Sequence, residues 1–187
     1  MRLEPVAPRH AEELFAAGSA EAIWTYMPRP VLKSVEDTLG WIQEALAAAA
    51  EGSQLPFAIV HRASGKAIGS TRYLDILREH RGLEIGWTWM GTAYQRTPVN
   101  TECKSLLLTH AFEELGAVRV QLKTDLRNER SQRAIERIGA VREGVLRKHM
   151  LRWDGYIRDT VYYSILASEW LDVKRRLENL LAASTTV

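Results

Sequence analysis

Between Gly82 and Asn128 the spacing of apolar residues changes from two to three and four and back again, which predicts a strand, a turn, a helix and a second strand. In Leu83 to Met90, residues Ile85, Trp87 and Trp89 fall on one side of a period-two ribbon, and Glu84, Gly86, Thr88 and Met90 fall on the other. One carboxylate therefore sits on an otherwise neutral strand face. Gly91 to Val99 reads as the turn. Leu106, Leu107, Ala111, Phe112 and Leu115 recur at helical spacing over Asn100 to Leu115, with Asn100 as N-cap, and Ala117 to Leu122 is the second strand. A strand that runs through a turn into a helix N-terminus presents backbone N–H groups and the positive end of a dipole. The segment predicts a ligand bearing phosphate.

The flanking sequence supplies more sheet and helix. Met1 to Val6 reads as a short strand closed by Pro5 and Pro8, Ala11 to Ala17 as a helix, and Trp24 to Pro28 as an aromatic loop. Ser34 is placed to cap a helix running to about Glu51 on Leu39, Trp41, Ile42 and Leu46. Phe57 to His61 and Ala67 to Asp75 form an antiparallel hairpin. Asn128 opens a helix from Glu129 to Ile138 that Gly139 ends. Val141 to Arg152 and Tyr156 to Leu166 make a second hairpin, and Glu169 to Leu181 is a closing amphipathic helix. The fold class is α/β: a mixed, mostly antiparallel sheet of six or seven strands with flanking helices.

At 187 residues and 46% hydrophobic content, the chain (1–187) reads as one domain able to bury a full core. The net charge of +2 gives no global case for nucleic acid, yet from Arg119 to Arg152 ten Lys/Arg face four Asp/Glu. That stretch is either a solvated face or the surround of an anionic ligand. Cys103 is alone, which excludes an intrachain disulfide and a Cys-rich metal site, and the cytoplasm is the expected compartment. The five histidines lack metal-ligand spacing, so no metal is expected. Neither a signal-peptide run nor the ~20 apolar residues of a membrane span is present.

The order Gln95-Arg96-Thr97-Pro98-Val99-Asn100, then Asn128-Glu129-Arg130-Ser131, then Ile138-Gly139-Ala140 resembles the acetyl-CoA-binding core of the GCN5-related N-acetyltransferases. The likeness is greater to the branch containing the ribosomal-protein N-terminal acetyltransferases, and it covers roughly residues 55 to 170. The resemblance implies that Leu83–Met90 and Ala117–Leu122 are a splayed parallel pair with the pantetheine arm between them. It assigns the cofactor to Trp89, Met90, Gln95, Arg96, Thr97, Val99, Asn100 and Thr101, with Asn128 and Ser131 completing the set. It also implies acetyl-CoA as cosubstrate and direct acetyl transfer to a small-molecule amine or a peptide N-terminus. Neither nucleic acid nor a membrane is then a partner, and a homodimer is left open.

Glu84 matches the spacing of the family's strand carboxylate and is the candidate general base; a carboxylate among Trp residues is desolvated, which suits proton uptake. It equally fits a structural bond to neighbouring backbone or to Arg72. His149 is the second candidate base. The family's usual tyrosine acid is replaced by Ile135, and the resemblance passes protonation of the leaving thiolate to Ser131. Asn128 and Ser131 also suit plain helix capping. A non-catalytic CoA- or peptide-binding module is the alternative, motivated by Pro98 and by Ile135. A nucleic-acid binder using Arg119 to Arg152 is a third reading, and it requires salt-steep affinity.

Pro98 stands where the family has glycine and removes one backbone donor. A charge-assisted hydrogen bond is worth about 1.5–3 kcal/mol, whereas the stiffness lost on changing proline to glycine costs about 0.4–1 kcal/mol. With Val99 to Glu102 supplying the donors instead, Pro98→Gly is expected to leave acetyl-CoA affinity within about threefold by calorimetry. A gain above tenfold would show the natural turn to be impaired.

Overall fold

The computed structural model describes residues 1–185. Seven strands form a mixed sheet: β1 (Arg2–Pro5), β2 (Gln54–Val60), β3 (Ala67–Leu77), β4 (Gly82–Met90), β5 (Arg119–Asp125), β6 (Val141–Leu151) and β7 (Ile157–Leu166). Their order is β1-β2-β3-β4-β5-β7-β6. The helices are α1 (Ala11–Gly18), α2 (Val35–Ala50), α3 (Val99–Thr109), α4 (Glu129–Arg137) and α5 (Trp170–Thr185). The strand–helix succession read from the sequence is thus present, with β4 and β5 parallel as expected. Their register runs from Gly82↔Arg119 through Leu83↔Val120 to Glu84↔Gln121. A parallel pair needs a crossover, and the turn with α3 supplies it.

Two compact units are distinguished. The first comprises Met1–Ile76 and Ile85–Val99. Its core gathers Trp24, Trp41 and Trp89 with Leu14, Leu32 and Ile42. The Trp24 and Trp89 rings lie 5.1 Å apart between centroids, and those of Trp41 and Trp89 lie 6.0 Å apart. The Ser34 hydroxyl accepts from the Asp37 N–H at 3.1 Å, so the predicted cap of α2 is made. Gly69 on β3 lies against β4 so closely that a Cβ would stand 2.2 Å from the Trp89 carbonyl oxygen and 2.8 Å from the Met90 Cα. Only glycine permits that approach.

The second unit comprises Leu77–Glu84 and the chain from Asn100 onward. Alternate residues Val120 and Leu122 of β5 are buried with Val161, Tyr163 and Ile165 of β7, its antiparallel neighbour. Arg119 and Glu143 form an ion pair, and the same carboxylate accepts from the Ser164 hydroxyl at 2.8 Å, which ties β5, β6 and β7 together. β6 ends the sheet and is irregular: its register shifts between Leu146 and Met150, where Lys148 adopts φ +49°. The Lys148 N–H donates to the Asp159 carboxylate at 2.7 Å instead of to a strand.

Several expectations need correction. The α3 helix starts at Val99, so Asn100 lies in its first turn and is not the N-cap. Leu106 and Leu115 are 43% and 50% exposed, whereas Cys103, Leu107, Leu108 and Ala111 are buried. The helical backbone widens to a π turn at His110–Glu114, and that extra residue carries Leu115 away from the buried face. β5 starts two residues late and runs on to Asp125, past the expected end at Leu122. In β4 the backbone at Trp87 has φ +50°, so the strict alternation that would group Ile85, Trp87 and Trp89 is broken at its middle member. Leu46 is exposed, and Ala45 takes its place in the core.

Gly69→Ala is the sharpest test of the β3–β4 packing, because the clash is with backbone that cannot rotate away. It is expected to destabilise the protein by about 3 kcal/mol, the upper end of ordinary overpacking, as read from the urea midpoint. Gly40, whose added Cβ meets nothing within 4 Å, is the control, and Gly40→Ala on α2 should be neutral or stabilising.

Candidate active site

Glu84 ends the β4–β5 register and is 1% exposed. Its Oε2 accepts from the Gln121 amide at 2.8 Å and from the Lys123 ammonium at 2.9 Å. Gln121 and Lys123 are alternate residues of β5, so a period of two presents both to the same carboxylate. Lys104 on α3 is also buried; burial pulls its ammonium down to about 8, offset in part by Cys103 and by Glu84. Burial likewise lowers Arg158, against which Asp125 and then Glu84 act. Glu84 is thus the anion among three cations, and the alternative partner read from the sequence, Arg72, bonds Gln54 instead. The partners found for Glu84 are thus an amide and a cation on β5.

His149 on β6 faces Thr160 and Tyr162. Its Nδ1 is 3.1 Å from the Thr160 hydroxyl and its Nε2 is 3.4 Å from that of Tyr162. Burial lowers its pKa, and Lys123 and Arg158 lower it further, which favours the neutral imidazole.

Asn128 and Ser131 do form a cap: the Ser131 N–H donates to the Asn128 Oδ1 at 3.1 Å. Both residues are half-buried, and no described residue bonds the Asn128 Nδ2 or the Ser131 hydroxyl. Capping and ligand contact are therefore compatible. Gly139, at φ +102°, ends α4 with its N–H on the Glu136 carbonyl at 3.0 Å.

The turn before α3 is built from its own side chains. The Gln95 amide donates to the Met90 carbonyl at 3.3 Å, and the Thr97 hydroxyl donates to the Tyr94 carbonyl at 2.7 Å while accepting from the Val99 N–H at 3.4 Å. Arg96 carries the left-handed conformation of the turn, with φ +61°. Pro98 does not have to take a positive φ, which explains how proline is accommodated just before a helix. Asn100, Thr101 and Glu102 occupy the first turn of α3, where N–H groups lack intrahelical acceptors. The Thr101 side chain is buried and engaged, its hydroxyl accepting from Arg137 at 2.8 Å. The Met90 and Trp89 side chains are also buried, that of Trp89 within the tryptophan core.

Cys103 is fully buried, and burial pushes its thiol up to about 12, far from a nucleophilic thiolate. Among the described residues no cluster of three or more His, Cys, Asp or Glu could hold a metal ion. No described helix is long and apolar enough to cross a membrane. The groups that the sequence reading passed over are Gln121, Lys123 and Lys104. Lys123 was detectable from the continued alternation of β5, had the strand not been ended at Leu122.

Residues 1–141 match the Acetyltransferase (GNAT) domain family. A Bacillus subtilis (strain 168) protein bearing the name uncharacterized N-acetyltransferase YoaA is 28% identical over 164 residues, 88% of this chain and 92% of that protein. Among solved structures, a GCN5-related N-acetyltransferase from Brucella melitensis is 32% identical with a TM-score of 0.89, covering 95% of this chain and 80% of that one. Mycobacterium smegmatis RimJ in complex with CoA-disulfide shares the fold at a TM-score of 0.83 and 22% identity, over 97% of this chain and 88% of its own.

Proposed function

Because the chain belongs to the GNAT acetyltransferase family, we propose that it transfers the acetyl group of acetyl-CoA directly to a primary amine, a peptide N-terminus or a small amine, in the cytoplasm. The match of the GNAT domain over three quarters of the chain is the observation that carries this reading. The CoA-disulfide held by the RimJ relative is in keeping with it. The pyrophosphate is assigned to the first-turn amides of α3 and the turn Gln95 to Val99, including Arg96. The pantetheine arm is assigned to the backbone of Trp89 and Met90 and to the Asn128 amide. The Ser131 hydroxyl donates its proton to the leaving thiolate. The acetyl donor is already activated, and the inert thiol of Cys103 supports attack by the amine itself with no acyl-enzyme.

Glu84 is assigned the removal of the ammonium proton, through water, with Lys123 holding the carboxylate in place. The 2.9 Å ion pair also favours a second reading, in which Glu84 serves to neutralise Lys123, Lys104 and Arg158 and a proton leaves by His149 or by solvent.

Calorimetry with acetyl-CoA, followed by thiol release over a panel of amines and peptides, tests the assignment. Binding together with turnover is expected; binding without turnover on any acceptor would leave a non-catalytic CoA module. Glu84→Gln separates the two readings of that residue. A general base predicts turnover lowered by about 10²-fold, little change in acetyl-CoA affinity, and loss of the acidic limb of the pH–rate curve, on which activity rises as the base deprotonates. A neutralising role predicts a fall in thermal midpoint with that limb intact.

A further inference from the structure

Arg72 on β3 is 4% exposed, and its surroundings leave one edge of the guanidinium unused. Its Cζ lies over two indoles, 5.1 Å from the Trp41 ring centroid and 4.5 Å from that of Trp87. At one end Nη1 donates to the Gln54 side-chain oxygen at 2.8 Å. Nε is buried without a hydrogen-bond partner, and no described residue bonds Nη2. No carboxylate among the described residues is ion-paired with Arg72: Glu44 and Arg29 act on it from a distance and with opposite sign. Burial draws its pKa down to about 10, so it remains a cation at neutral pH.

A guanidinium removed from water without a counterion is costly, and two aromatic faces recover only part of that cost. The unused edge, Nε–H beside Nη2–H, has the parallel two-donor geometry that accepts a planar carboxylate in two hydrogen bonds. Trp41 is buried, whereas Trp87 is half-exposed and sits at φ +50°, a conformation that a bulky side chain adopts only where the surrounding structure holds it. Trp87 stands three residues after Glu84 on β4.

We propose that Arg72, between Trp41 and Trp87, is a carboxylate subsite of the acceptor, so that the amine acetylated by this protein carries a carboxylate. The proposal rests on the transferase reading given above. A free amino acid and an N-terminal residue followed by an acidic one both bring an amine and a carboxylate on one short frame. A fixed structural role for the two-indole clamp is the competing account.

The test compares acceptors in matched pairs, glycine with glycinamide, glutamate with its diamide, and peptides beginning Ser-Glu with those beginning Ser-Gln, using thiol release from acetyl-CoA by the full chain. Within at least one pair the carboxylate form is expected to have kcat/KM at least tenfold above its amide. Arg72→Gln should collapse that ratio toward one, mainly through KM, and Arg72→Lys, which keeps the charge but loses the fork, should recover only part of it. Equal turnover of both members by the natural protein overturns the proposal. So does an Arg72→Gln protein in which both members fall alike, with a lowered thermal midpoint.

If no amine is acetylated, the transferase reading fails by itself, and a direct titration decides the subsite. Glutarate, which has no amine, should change the indole fluorescence of the natural protein saturably and should not change that of Arg72→Gln. Absence of a saturable change in the natural protein overturns the subsite.

Discussion

A carboxylate cannot be removed from water alone, and the second unit is arranged around that constraint at Glu84. The idealised cost of burying such an ion is of order 20 kcal/mol, and several kcal/mol persist after relaxation. The structure meets it with the Gln121 amide and the Lys123 ammonium, both on one face of β5. Those contacts exist only when Glu84 lies opposite Gln121, so the ion pair also selects the register of the parallel pair. A slip of one residue would turn both partners to the other face and leave the charge unpaired.

The turn and the helix that follow obey a different economy, in which side chains stand in for missing backbone partners. Thr97 takes the Val99 N–H, Gln95 takes the Met90 carbonyl, and Arg137 ties Thr101 to α4. None of these contacts requires glycine at position 98, because the left-handed residue of the turn is Arg96. A motif judged by its missing glycine therefore understates this turn. The geometry puts the conformational demand two residues earlier, on a residue type that rarely advertises it.

What the sequence made legible follows from how local each signal is. The Ser34 and Asn128 caps, the Gly139 terminus and the alternation of β5 depend on near neighbours, and they were readable directly. A mixed sheet of six or seven strands followed from the succession of elements and the parallel pair came with the family resemblance; the structure has seven strands, with β4 and β5 parallel. Leu115 was misplaced because a π turn shifts the phase of the helix before it, and nothing in residues 110 to 114 signals the extra residue, whereas Leu106 simply lies off the buried face of Cys103, Leu107 and Leu108. Trp87 was assigned by strict alternation, which its own positive φ defeats. Lys104 and Arg158 were illegible as partners of Glu84 because they lie 20 and 74 residues away from it, and only the fold brings their charges to bear.

The kink in β6 has a consequence outside chemistry. A sheet that does not close has two unpaired rims, and each is a template on which another chain can crystallise as an extra strand. Here β1 is four residues long and ends in Pro5, while β6 is interrupted at Lys148, whose N–H is spent on Asp159. Leu151, at 74% exposure, lies just beyond that interruption and not within an unbroken ribbon. The residues that bend this strand thereby make its outer rim a poor template for an added strand.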